Sequence, residues 1–249
     1  MNDKILLVTG GSRGIGAASA RMAARAGYKV AINYVNDAKA ADALAKEIQK
    51  AGGTAIPIKA DVAREDEIVR LYETVDRELG QLTHLVNNAG IVSRAGKLAD
   101  ANAETIRNVV DVNVTGAMLV AREAVRRMST ARGGKGGAIV NLSSVAATLG
   151  APGEFIWYAA SKGAIDTFTV GLSREVAREG IRVNAVAPGL IDTDIHAAGG
   201  QPDRIARMAP TIPLGRAGTA EETAAAILWL LSEEASYVTG TIVRVSGGR

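Results

Sequence analysis

Two side chains in the stretch Trp157-Tyr158-Ala159-Ala160-Ser161-Lys162 have types and a spacing suited to proton chemistry. If the stretch is helical, Tyr158 and Lys162 lie four apart on one face and can enter the same pocket. A phenol with an ordinary pKa near ~10 exchanges its proton poorly at neutral pH. A neighbouring ammonium favours the phenolate and lowers that pKa, which makes the tyrosine usable as a general acid or base. Tyr-x-x-x-Lys is a common spacing, so the pair gains meaning only if other elements bring further polar groups to it.

The elements that could do so follow a regular alternation. Residues 4–9 form a short β-rich run that stops at Gly10-Gly11-Ser12-Arg13-Gly14-Ile15-Gly16. Apolar or small residues then recur at helical spacing through Ile15, Ala18, Met22, Ala23 and Ala26, ending at Gly27. Strand, glycine loop and helix together make a dinucleotide cradle: glycines admit the pyrophosphate and the helix start offers amide donors. Further strands are expected near 29–33, 54–60, 84–86, 138–142, 182–187 and 241–245. Helices are expected between them near 38–51, 64–79, 103–129, 157–178 and 220–231. Short links and strict β-α alternation predict an α/β fold: one domain over 1–249 with a seven-stranded, doubly wound parallel sheet. Residues 190–218, broken by Gly199-Gly200, Pro202, Pro210 and Pro213, read as an irregular substrate lid.

Ligands of open parallel sheets bind beyond the carboxyl ends of the strands. Those ends offer the glycine loop, Asp61, Asn87-Asn88-Ala89-Gly90, Ser143-Ser144 and Pro188-Gly189. Each alone has a bland reading, as a helix cap or a turn. Their convergence on Tyr158 and Lys162 is what argues for a site.

Composition removes other classes. The 249 residues are 47% hydrophobic and 22% charged, which fits a globular chain with a substantial core. Without cysteine there are no disulfides and no thiolate metal sites, and nothing resembles a metal-ligand cluster. The net charge is only +3, and Arg122, Arg126, Arg127, Arg132 and Lys135 lack interleaved aromatics, so they read as a solvated helix face and loop. Neither nucleic acid nor membrane is expected as a partner. The start has no secretory pattern, which leads to a cytoplasmic expectation.

Over essentially its whole length the chain resembles a short-chain dehydrogenase/reductase of the compact single-domain type. The residues that carry the likeness are Thr9-Gly10-Gly11-Ser12-Arg13-Gly14-Ile15-Gly16, Asn87-Asn88-Ala89-Gly90, Asn113, Ser144, Tyr158, Lys162, and Pro188-Gly189 followed by Ile191 and Thr193. Within that family it is most similar to 3-oxoacyl-carrier-protein reductase-like and glucose-dehydrogenase-like bacterial members. The resemblance implies a Rossmann fold, a nicotinamide cofactor and a small-molecule carbonyl or alcohol substrate. It implies a homotetramer as well.

It also implies roles. Tyr158 would pass the proton, Ser144 would orient the carbonyl oxygen, Lys162 would hold the nicotinamide ribose, and Asn113 would position a relay water. Ser144 stands one residue further from Tyr158 than is commonest in the family, which leaves Ser143 as an alternative. Gly10, Ser12, Arg13, Gly14, Ile15, Gly16, Asn88, Ala89 and Gly90 would line the dinucleotide, with Asp61 and Val62 beside the adenine. Pro188, Gly189, Ile191 and Thr193 would flank the nicotinamide. At the end of the second strand, Asn33 and Tyr34 would line the cofactor, but the corner Ile32-Asn33-Tyr34 carries no carboxylate to bind a ribose 2′-hydroxyl, and Arg13 suits a phosphate. NADP(H) is therefore expected over NAD(H).

Phe155, Ile156 and Trp157 would wall the substrate pocket, and His196 reads as a solvent-facing loop histidine. The substrate readings are a 3-oxoacyl thioester, a broad range of carbonyls, or a sugar or polyol. A nucleotide-binding regulator without catalysis is the alternative from another class.

Overall fold

The computed structural model describes residues 4–249. Strand β1 (Ile5–Val8) reads Ile-Leu-Leu-Val with all four residues buried, the unbroken apolar run of a strand covered on both faces. Strands β2 (Lys29–Tyr34), β3 (Thr54–Lys59), β4 (His84–Asn87), β5 (Gly137–Leu142), β6 (Ile181–Pro188) and β7 (Ile242–Val245) complete a seven-stranded sheet. Its order is β3-β2-β1-β4-β5-β6-β7, and every neighbouring pair is parallel.

Helices α1 (Gly14–Arg25), α2 (Ala38–Lys50) and α10 (Ala220–Leu231) cover one face, packing on Leu6, Val8, Val30, Ile32 and Val140. Helices α3 (Glu65–Glu78) and α5 (Ala117–Met128) cover the other face, over Leu7, Leu85, Ile139 and Val183. The chain leaves β1 toward β2 on one side and reaches β4 on the other, so a crevice opens at the carboxyl ends of β1 and β4. The Rossmann-type doubly wound sheet is therefore as the alternation predicts.

Three local expectations change. The helix expected over 103–129 is α4 (Ala103–Val110) and α5 joined by a π-helical segment, Asp111–Gly116, with Asn113 inside it. An extra residue in a helical turn re-aims side chains, and such turns recur at functional sites. Gly116 closes this segment where a Cβ would overlap the Val62 carbonyl.

The basic cluster is the second correction. Arg132 and Lys135 are exposed, as expected, but Arg127 is not. It reaches Glu123 at 2.9 Å and Asp76 at 2.7 Å, over the Tyr72 ring. Arg126 also meets Glu123 at 2.8 Å. Glu123 is only 4% exposed, and a charge that deep needs cationic partners. Thirdly, the segment 190–218 holds two short helices, α8 (Ile195–Ala198) and α9 (Arg204–Met208).

Candidate active site

The crevice is built from the end of β1 outward. Buried Thr9 accepts hydrogen bonds from the Asn88 and Ala89 amides, at 2.9 and 3.0 Å. Asn88 Nδ2 returns bonds to the Thr9 and Gly10 carbonyls, at 2.8 and 3.0 Å. These four bonds lock the glycine loop to the end of β4. Gly10 and Gly14 take φ of +59° and +52°, the left-handed region that glycine enters without strain. At Gly16 a Cβ would overlap the Gly10 carbonyl and stand 2.7 Å from Asn88 Nδ2.

The first turn of α1 carries no acidic residue and no side-chain cap, so its amides are unopposed donors toward an anion. Arg13 occupies the N-cap position, exposed and without an ion pair among the described residues. Ser12 and Ile15 are half-buried in the loop. A dinucleotide phosphate fits this cradle, because the glycines leave the space and the donors that it needs.

Asn33 sits differently from its sequence reading. It is 1% exposed and its side chain is spent internally, accepting from the Gly10 amide at 3.2 Å and donating to the Ala60 carbonyl at 2.9 Å. It braces the glycine loop against the end of β3. Tyr34 is half-buried beside it. The first carboxylate beyond β2, Asp37, caps α2 by accepting from the Ala40 amide at 2.9 Å. Asp61 accepts from the Ala63 amide at 2.9 Å, and Val62 is buried.

Next come the side chains of helix α7 (Ile156–Val176), which carries Tyr158 and Lys162 on one face as their spacing predicts. Lys162 is 4% exposed; its Nζ donates to the Leu142 carbonyl at 2.6 Å and lies 5.6 Å from the Tyr158 ring centre. Burial depresses the Lys162 ammonium to about 8, opposed by the Asp166 carboxylate. Burial raises the Tyr158 phenol above its ordinary value, while a hydrogen bond with Ser144 and the charge of Arg204 pull it back. Lys162 is not among the groups that lower Tyr158, contrary to the direct tuning expected from the sequence. Its ammonium is turned to the end of β5 rather than to the phenol oxygen.

The structure brings Ser144, not Ser143, to Tyr158. Ser144 Oγ also accepts from the Ala146 amide at 3.1 Å, where the short helix α6 (Ala146–Leu149) begins. Ser143 is buried beneath α7, its hydroxyl 3.4 Å from the Lys162 carbonyl. Asn113 pairs with both backbone groups of Ile91, at 2.8 and 2.9 Å, and donates to Ser161 Oγ at 3.0 Å. Ser161 in turn donates to the Tyr158 carbonyl at 2.7 Å, so the π segment is tied to the catalytic-helix candidate. A Cβ at Gly90 would stand 3.3 Å from Asn113 Oδ1 and 3.5 Å from Lys162 Nζ. The β4 loop, the π segment and α7 thus meet around one small space.

The segment after β6 closes the other side. The Pro188 carbonyl accepts from the Val145 amide at 3.0 Å, and Gly189 packs on Ser246, where a Cβ would come within 2.8 Å. Ile191 is buried and bridges to Gly218. Thr193 lies against Gly14, its methyl 3.3 Å from where a Cβ would be.

His196 is a correction: it is half-buried, with Nε2 2.8 Å from the Ile191 carbonyl, and burial lowers its pKa. Phe155 and Trp157 are buried and Ile156 half-buried, with Trp157 Nε1 donating to the Val92 carbonyl at 3.0 Å.

Sequence reasoning missed the clamp on this wall. Arg204 Nη1 meets Glu154 at 2.6 Å and Gln201 at 2.9 Å, with its guanidinium 5.4 Å from the Phe155 ring centre. Gly96 donates to the Glu154 carbonyl and Ala95 to the Gly199 carbonyl, at 2.9 and 3.2 Å. Glu154 and Arg204 are fifty residues apart and no local pattern links them. Among the described residues, no group of three or more His, Asp or Glu is placed to hold a metal ion.

Comparison with known proteins agrees with this geometry. The family model described as Enoyl-(Acyl carrier protein) reductase matches residues 10–249. The chain is 52% identical over 245 residues to Uncharacterized oxidoreductase YgfF of Escherichia coli, covering 98% of this chain and 99% of that one. It is 39% identical over 250 residues to the 3-oxoacyl-[acyl-carrier-protein] reductase of Synechocystis sp., covering 100% and 97% of the two chains. Among solved structures, a short chain dehydrogenase from Burkholderia cenocepacia in complex with NADP superposes with a TM-score of 0.90 at 36% identity, covering 98% of this chain and 97% of that one. The chain is an oxidoreductase that belongs to the short-chain dehydrogenase/reductase family.

Proposed function

We propose that this enzyme interconverts a small carbonyl compound and its secondary alcohol with NADP(H) as the preferred nicotinamide, in a single domain whose 190–218 segment is the substrate lid. The observation that carries the reading is the meeting of Tyr158, Ser144 and Lys162 at the end of β5, facing the glycine cradle at the end of β1. A bound nicotinamide supplies the hydride, and that chemistry belongs to the cofactor.

What the chain's own residues do can be stated atom by atom. In reduction, Tyr158 Oη gives its proton to the substrate oxygen, and in oxidation it takes one back. Tyr158 is protonated before the step, and its hydrogen bond with Ser144 and the charge of Arg204 oppose the rise in pKa that burial imposes. Ser144 Oγ, already bonded to the phenol, is the second donor to the same oxygen. Lys162 holds the ribose hydroxyls of the nicotinamide half, and Asn113 and Ser161 fix the turn of α7 on which Tyr158 sits. Phe155 and Trp157 keep water from the reacting carbon. Gly10, Ser12, Arg13, Gly14, Ile15 and Gly16 hold the pyrophosphate and 2′-phosphate, with Asp61 and Val62 at the adenine. Ala89, Gly90, Pro188, Gly189, Ile191 and Thr193 line the way to the nicotinamide.

For the substrate we favour a 3-oxoacyl thioester or a range of simple carbonyls over a sugar. Buried Phe155 and Trp157 beside Tyr158 make the wall apolar, which suits an acyl chain better than a ring of hydroxyls. We carry a homotetramer by family analogy; partly exposed Met118 and Trp229 and the open edge of β7 are consistent with it. A cytoplasmic address is proposed on the same footing; among the described residues no helix is long and apolar enough to cross a membrane. The test is NADPH oxidation over a panel containing an acetoacetyl thioester, aliphatic and aromatic ketones, and, in reverse, glucose with NADP⁺. Turnover of thioester or ketone is expected. Tight NADPH binding with no turnover of any member would contradict the reading and favour a nucleotide-binding regulator.

A further inference from the structure

Helix α7 places a third ionisable group in line with the first two. Tyr158, Lys162 and Asp166 stand at i, i+4 and i+8, one face of three successive turns. Side chains on a helix lean toward its N-terminus, so the Asp166 carboxyl is directed back toward Lys162. Its Oδ1 is buried and has no hydrogen-bond partner among the described residues. An unpartnered buried carboxylate oxygen is costly, and the proton chemistry assigned above gives Asp166 no task.

The charged and titratable groups around it come from three elements. They are Lys162 on its own helix, the Ser143 hydroxyl at the end of β5, and the Arg244 guanidinium on β7. Lys162, for its part, faces the Tyr158 ring, the neutral Asn113 and Gly90, and the Leu142 carbonyl; the carboxylate that acts on it is Asp166. Its environment otherwise works against charge, because the amine is almost wholly buried.

We propose that Asp166 is a positioning residue of the active site, the half-buried counter-charge that keeps Lys162 an ammonium aimed at the end of β5. This rests on the reading of Lys162 as the group that holds the cofactor ribose. An uncharged lysine would lose one of its donors toward the cofactor ribose and toward the Leu142 carbonyl. Ser143 acquires a role on the same account. Its hydroxyl lies between the Lys162 backbone and the Asp166 carboxyl, and so helps fix the carboxylate behind the lysine instead of touching substrate.

The direct test needs no substrate. Lysines labelled with carbon-13 at Cε are titrated by NMR in the full-length protein, with the Lys162 resonance assigned by its loss in Lys162→Arg. In the parent protein the Lys162 midpoint is expected at about 8. Asp166→Asn keeps the shape and removes the charge, and is expected to lower that midpoint by on the order of one unit. Asp166→Glu should recover at least part of it. Arg244→Gln removes a competing cation and should leave the midpoint unchanged or raise it. An unchanged midpoint in Asp166→Asn, or an equal fall in Arg244→Gln, overturns the proposal.

Turnover provides the second arm, since the alkaline limb of the kcat profile should move to lower pH in Asp166→Asn. A purely structural Asp166 would lower the melting temperature and leave both pH midpoints in place, which also overturns it. A shifted NMR midpoint in a protein that reduces nothing would uphold the Asp166–Lys162 coupling and sink the catalytic reading alone.

Discussion

Replacing Arg13 is expected to separate the two nicotinamide cofactors. Arg13 occupies the N-cap position of α1 with extended backbone, and its side chain caps nothing, so Arg13→Ala leaves the helix start intact. It breaks no ion pair, because Arg13 has none among the described residues. Across the cradle no carboxylate competes for a ribose 2′-hydroxyl: Asn33 is buried and committed to the loop, and Asp37 is committed to capping α2. A charge-assisted hydrogen bond contributes about 1.5–3 kcal/mol, and exposed ion pairs contribute less than ~1 kcal/mol. For an exposed arginine on a doubly charged phosphate the middle of that span, ~1–2 kcal/mol, is appropriate, a factor of roughly 5–30 in affinity. NADPH and NADH are titrated by nicotinamide fluorescence against the parent and Arg13→Ala proteins, at low and moderate salt. NADPH affinity should fall by on the order of tenfold and lose part of its salt dependence, with NADH affinity unchanged. An equal fall for both cofactors, or no fall for NADPH, refutes the assignment of Arg13 to the 2′-phosphate.

Two other changes follow from the structure. Gly16→Ala puts a methyl group onto the Gly10 carbonyl and within 2.7 Å of Asn88 Nδ2. A displacement of the loop by ~1 Å should weaken NADPH binding or turnover on the order of a hundredfold, and parent-like affinity by fluorescence titration would contradict the cradle. His84 lies far from the site, buried against Tyr28 and bonded to Thr83 Oγ1 at 2.8 Å, and burial depresses its pKa from 6.5 to about 4. The unfolded chain binds the extra proton between those values, so the stability this group confers is complete above pH 6.5 and is lost as pH falls through about 4. The loss is roughly 3 kcal/mol. Urea unfolding at pH 7 and near pH 4 should show a shallower acid loss in His84→Gln than in the parent, and an identical loss would exclude His84 as its source.

Much of this molecule is legible in its sequence because its signals are local. Strands such as Ile-Leu-Leu-Val are apolar on both faces, glycines mark the turns, and Tyr158 and Lys162 share a helix. What was not legible depends on contacts between distant segments. Asn33 looks like a corner residue of the cofactor site, and only the approach of Gly10 and Ala60 shows that its amide is consumed. The choice between Ser143 and Ser144 turns on which hydroxyl the β5 end directs at Tyr158, which spacing to Tyr158 does not decide. The π segment around Asn113 has the composition of a plain helix. His196 and Arg204 sit in a stretch whose glycines and prolines suggest disorder of pattern, yet the Ile191 carbonyl and Glu154 hold them. Asp166 did leave a signal, the i+4 repeat beyond Lys162.

The central claim is that Tyr158 Oη transfers the proton while the rest of the site holds cofactor and substrate. Tyr158→Phe removes that one atom and leaves the ring that lies 5.6 Å from Lys162 Nζ. With the best substrate from the carbonyl panel, kcat should fall by at least ~100-fold. NADPH affinity, measured by fluorescence on the same preparation, should stay at its parent value. Retained turnover in Tyr158→Phe would contradict the mechanism outright.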